Sequence, residues 1–185
     1  MTDPRGGARN ATGTKGARAV PATDTALLGI YLNDQLAVAA AGAARARSLL
    51  RSCRGSALAG PLAPVVAELT EDRAALLHVM RRLDVPVRRY KVVAGLAAER
   101  MGRLKGNGRL VRRSPLSTLW ELEALRLGAE GKAAAWETLR ALAAADRRLD
   151  AERLDELLAR ARRQCATLEE LRRRQVGPAF HRDRS

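Results

Sequence analysis

Four carboxylates pose the first chemical question in this sequence. When the apolar segments are stepped at about 100° per residue, Asp34 falls among Leu27, Ile30, Tyr31, Val38 and Ala41. Asp72 falls among Val65, Leu69, Leu76, Val79 and Leu83, and Glu123 and Glu130 fall with Leu116, Leu119, Trp120, Leu127 and Ala134. Acids on the inward faces of neighbouring helices are the raw material of a carboxylate metal centre, where oxygens bridge two ions and imidazoles complete the coordination. The imidazoles are missing. Ala75 stands three residues after Asp72, His78 points about 120° away from that stripe by the same stepping, and His181 lies near the C-terminus. A fourth apolar stripe, Leu154, Leu157, Leu158, Ala161, Cys165 and Leu168, contains Gln164 and no acid. No metal is therefore expected; if one bound, Asp34, Asp72, Glu123 and Glu130 would hold it. The competing role for these acids is structural, since a buried carboxylate must be paired, with Arg45, Arg73, Arg126 and Tyr31 as candidate partners.

Other chemistry has little to stand on. The sequence contains no Gly-x-Ser-x-Gly, no Walker-type glycine loop and no histidine placed to activate Cys53 or Cys165. Cys165 lies on an apolar stripe and is expected to pack as a small hydrophobe, while Cys53 at a helix end is expected to be exposed. The two are far apart without metal-ligand spacing, which suits a reducing cytoplasm. An enzymatic role and a cofactor are not indicated.

The net charge of +14 is concentrated between residues 81 and 113. Arg81, Arg82, Arg88, Arg89, Lys91, Arg100, Arg103, Lys105, Arg109, Arg112 and Arg113 stand there against only Asp84 and Glu99. Such a basic patch can meet nucleic-acid phosphates, an anionic membrane surface or an acidic partner without sequence specificity, or it can simply face water. Thirty of the 34 basic residues are arginine, and alanine is abundant too. A GC-rich bacterial genome tends to supply both, so codon bias and a polyanionic partner are alternative sources of the surplus.

Alanine and leucine favour helix and β-branched residues are scarce, so the expected class is all-α. Residues 1–22 are rich in Gly, Ala and Arg with little to bury, and are expected to form a disordered tail without the apolar core of a signal peptide. A bundle is expected over 23–176. Its first helix starts at Asp24 or Thr25 and runs to about Arg51; its second starts near Gly60 to Pro64 and runs to about Leu83. A third opens at Ser114-Pro115, and a fourth is capped by Asp150 and stops at Gly177-Pro178. Residues 177–185 are expected to be a flexible basic end. The run Leu36–Ala44 is too short to span a bilayer, so no transmembrane segment is expected. Trp120 and Trp136 fall on different faces of the third helix, so either one faces a surface for self-association or a wide buried arc or the crossover covers both.

Two short loops make two hairpins, while the connection over 84–114 is long enough to run the length of a bundle. This connectivity resembles the ferritin-like four-helix-bundle superfamily, with a short fifth helix of Val92, Val93, Leu96, Met101 and Leu104 in the crossover. The resemblance implies a di-iron site built on Glu-x-x-His pairs, and those pairs are absent here. The expected function is that of a non-catalytic interaction or structural protein, with an unknown protein partner or a second copy. Alternatives are a divergent carboxylate metal protein and an electrostatic binder of nucleic acid or anionic membrane.

Overall fold

The computed structural model describes residues 24–88 and 114–180. They form four helices and, among the described residues, no strand: α1 (Thr25–Ser52), α2 (Ala59–Arg82), α3 (Pro115–Leu142) and α4 (Ala151–Phe180). The starts follow local chemistry. The Asp24 carboxylate accepts from the amides of Ala26 and Leu27 at 2.9 and 3.1 Å. Ser114 accepts from Ser117 N–H ahead of Pro115, and Asp150 accepts from Arg153 N–H at 3.1 Å. Each satisfies amides that the first helical turn leaves without intrahelical partners. α2 begins at Ala59 without a side-chain cap, so Pro64 stands beyond the first turn rather than in it.

α2 ends in a Schellman closure: Val85 N–H donates to Met80 carbonyl at 2.9 Å, Asp84 N–H donates to Arg81 carbonyl, and Asp84 takes the left-handed conformation at φ 56°. The chain then crosses α1 and is pinned there. Asn33 donates to the carbonyls of Gly29 and Pro86 and accepts from Arg88 N–H.

The core has two halves. One joins Leu28, Leu32 and Leu36 to Leu76, Met80, Leu83, Trp136, Leu139, Leu154 and Leu157. The other joins Ala46, Leu49 and Cys53 to Leu62, Val65, Val66, Leu122, Leu125, Leu168 and Leu171. The start of α1 therefore lies level with the ends of α2 and α3 and the start of α4. α1 and α2 form one antiparallel hairpin and α3 and α4 another. The end of α2 and the start of α3 lie at opposite ends of the bundle. α1 packs against α2 and α3, and α4 against α3 and α2. The expected fifth helix lies outside the described residues, as do residues 1–22, His181 and the patch members Arg89, Lys91, Arg100, Arg103, Lys105, Arg109, Arg112 and Arg113.

Several expectations are corrected. α1 buries Leu28, Leu32, Leu36, Ala40, Ala43 and Ala46, and leaves Leu27, Ile30 and Val38 exposed, so the inner stripe is not the one that carries Asp34. α3 buries Leu119, Leu122, Leu125, Ala129 and Trp136, while Leu116, Trp120, Leu127 and Ala134 face outward. The physical reason is shared: both helices are apolar most of the way round, so side-chain type alone offers more than one stripe, and close helix approach selects the one that interleaves leucine with alanine. α4 continues through Gly177-Pro178 to Phe180, because a proline in the last turn forfeits one amide bond without ending the helix. Cys53 is buried in the second core half instead of exposed. α1 is also long and apolar enough to cross a membrane, more than its Leu36–Ala44 run alone suggests, though here its inner stripe packs against the other helices.

The corrected register makes a direct prediction. Leu36→Ala should cost about 2–5 kcal/mol in urea unfolding, as for a filled core site, whereas Leu27→Ala should stay within about 0.5 kcal/mol of wild type. Equal losses at both positions would contradict the assigned stripe.

Candidate functional site

Between the two core halves lies a polar layer. α2 supplies Asp72, whose side chain is 2% exposed; α3 supplies Lys132; α4 supplies Arg160 and Gln164. The Lys132 ammonium donates to Asp72 Oδ2 and to Gln164 Oε1. Gln164 Nε2 donates back to Asp72 Oδ2 at 3.1 Å and to Glu68 at 2.8 Å. The other Asp72 oxygen lies 2.6 Å from Arg160 Nη2, and Arg160 Nη1 reaches Glu71 at 2.7 Å. Both Asp72 oxygens are thus met by a cation, and a buried carboxylate is stable only on such terms. Burial pushes the Lys132 ammonium below its usual pKa, against the opposing attraction of Asp72.

The four sequence-predicted acids do not come together. Only Asp72 is interior. Asp34 is exposed on α1, Glu123 approaches Arg172 at 3.9 Å, and Glu130 pairs with Arg126 on its own helix. No group of three or more His, Cys, Asp or Glu able to hold a metal occurs among the described residues. Of the expected partners, Arg126 does neutralise acids, Glu130 and Glu169, but Asp72 is met by Lys132 and Arg160 instead. Lys132 is neither an acid nor an imidazole, so the pattern of metal-ligand residue types does not reveal it. One signal could have found it: in a chain with 30 arginines and four lysines, Lys132 is the only lysine within the four helices.

α1 supplies none of these four side chains, though its Gln35 and Arg45 line the space beside them. It contributes space. A cavity of about 380 Å³ opens between α1 and α3, with Val38, Ala41, Gly42, Ala124 and Gly128 in its wall and Lys132, Asp72 and Trp136 also lining it. Trp136 is 2% exposed, and its indole N–H has no hydrogen-bond partner among the described residues. Cys165 is half-buried beside the second core half, and burial raises its thiol pKa, which keeps it unreactive.

Outside this layer, ion pairs join α3 to α4: Arg126 to Glu169 at 3.2 Å, Arg140 to Asp155 at 2.9 Å, and Arg162 to Glu137. Glu169 also takes hydrogen bonds from Arg172 and Arg173. These hold its carboxyl well down, from the usual 4.5 to about 2, with Arg172 the main cause. No family model, no curated protein and no solved structure matches the chain.

Two outcomes follow. Asp72→Asn strands two buried cations and should cost about 3–5 kcal/mol in urea unfolding, whereas Asp34→Asn should change stability by no more than about 0.5 kcal/mol. Because the Glu169 carboxyl is depressed in the folded state, its contribution is complete above the usual 4.5 and disappears as pH falls towards about 2. Glu169→Gln should therefore flatten the acid limb of a melting-temperature profile across that window. An unchanged acid limb would contradict the pairing.

Proposed function

We propose that this chain is a non-catalytic, ferritin-like helical bundle that acts as an interaction or structural protein. The observation that carries this reading is an apolar outer face. On α1 the outward row includes Leu27, Ile30 and Val38; on α3 it includes Leu116, Trp120 and Leu127, with Trp120 67% exposed. α1 and α3 pack against each other and both rows are exposed, while the surface of α4 is laced with Arg and Glu pairs. Large apolar side chains left exposed on two neighbouring helices mark a place where something docks.

The ferritin-like reading is supported by connectivity: two antiparallel hairpins joined by a segment whose ends lie at opposite ends of the bundle. The carboxylate metal reading loses support at the same place. Where such a bundle would direct open carboxylates inward, Asp72 is already consumed by two protein cations.

The electrostatic reading keeps one specific support. Arg81, Arg82 and Arg88 are exposed at the end of α2, and Arg147 is exposed in the α3–α4 turn at the same end of the bundle. Such a cluster can hold polyanions in a salt-dependent manner.

The primary reading is tested by sedimentation and elemental analysis. The wild-type chain should self-associate without bound iron or manganese. Trp120→Glu combined with Leu127→Glu should shift it to monomer at unchanged helicity and remove the concentration dependence of its melting temperature. A wild-type monomer at every concentration with Trp120 freely quenched by acrylamide would overturn self-association through this face, and stoichiometric metal would revive the carboxylate alternative.

A further inference from the structure

The cavity between α1 and α3 goes beyond that interaction role. We propose that it is a binding site for a small neutral molecule with an apolar body and one hydrogen-bond-accepting oxygen, such as a ketone, ester or amide. Three observations converge on this chemistry.

The first is space kept open by small residues. Protein interiors are packed to crystal density and seldom retain voids larger than a water molecule, whereas ligand sites begin at roughly 300 Å³. The volume here, about 380 Å³, lies in the ligand range. It exists because Ala41, Gly42, Ala124 and Gly128 stand where longer side chains would fill the gap. A methyl group added at Gly42 or Gly128 would meet nothing within 4 Å, so backbone crowding does not require glycine at either position.

The second is donor capacity. A lysine ammonium has three N–H groups. Asp72 and Gln164 take two of those on Lys132, which leaves one for an acceptor in the cavity that Lys132 lines. The Trp136 indole N–H is buried without a partner among the described residues, in a side chain that forms part of the same wall. An unpaired buried donor is costly, and a ligand oxygen would relieve it.

The third is charge. Lys132 and Arg160 are already matched by Asp72 and Glu71, with Glu68 alongside. Arg45 also lines the cavity but is already engaged, so a further anion would meet no free cation among the described residues and would pay its own desolvation cost; recognition favours a neutral acceptor over a carboxylate.

The test uses the full chain and prodan, a neutral naphthyl ketone whose emission moves to the blue in apolar surroundings. Wild type should bind it saturably at one site. Gly128→Leu, which fills the void and improves helix propensity, should weaken binding at least tenfold without lowering the melting temperature. The corresponding dimethylaminonaphthalene lacking the carbonyl should bind about fivefold or more weakly, the loss expected for one hydrogen bond. Absence of saturable binding would overturn the site. Wild-type affinity in Gly128→Leu would place the probe elsewhere and overturn it too. Equal affinity for the carbonyl-free analogue would overturn the proposed recognition of oxygen.

Discussion

An ammonium group inside a helical bundle survives only beside an anion, and this requirement organises the middle of the molecule. Lys132 on α3 can stay buried because Asp72 on α2 and Gln164 on α4 meet it there, and Asp72 can stay buried because Arg160 completes its shell. Sliding any of these three helices by one turn would strand a charge in apolar surroundings, at a cost comparable to a large fraction of the stability of a small domain. The leucine layers above and below tolerate sliding far better, since one leucine contact resembles the next. The polar layer therefore sets the register, and the two core halves supply the bulk of the burial.

The same layer explains why an inward carboxylate need not mean a metal. Ligation requires oxygens with free lone pairs and an opening for the ion. Here the oxygens of Asp72 are aimed at cations carried by the protein itself, and Glu123 and Glu130 have turned to the surface to meet Arg172 and Arg126. α1 supplies none of the four layer side chains, and its small residues, together with Gln35 and Arg45, border a pocket against one side of the layer, while its outer row and that of α3 present leucine, valine and tryptophan to the surroundings.

How much of this was legible in the residues varies by element. Helix starts were readable, because Asp24, Ser114 and Asp150 announce themselves by chemistry that acts over three residues. The placement of the connector's two ends was readable from loop length. The inner face of α4 was readable as well, because charge elsewhere on that helix leaves only one apolar stripe. The inner faces of α1 and α3 were not, since helices apolar nearly all round carry no unique moment and only packing decides between Leu28 and Leu27, or between Trp136 and Trp120. Once the wrong stripe is chosen, Asp34, Glu123 and Glu130 look buried. Asn33 was overlooked because its role depends on Pro86 and Arg88, more than fifty residues away in sequence.

The most direct test of the central claim is a double-mutant cycle in urea unfolding on Asp72 and Lys132, using Asp72→Asn, Lys132→Met and both together. If the buried pair fixes the bundle's register, the coupling energy should be about 2 kcal/mol or more, in the range of directly contacting groups. Additive losses, with coupling near zero, would mean that the two side chains do not depend on each other and that the polar layer is not what holds α2 and α3 in place.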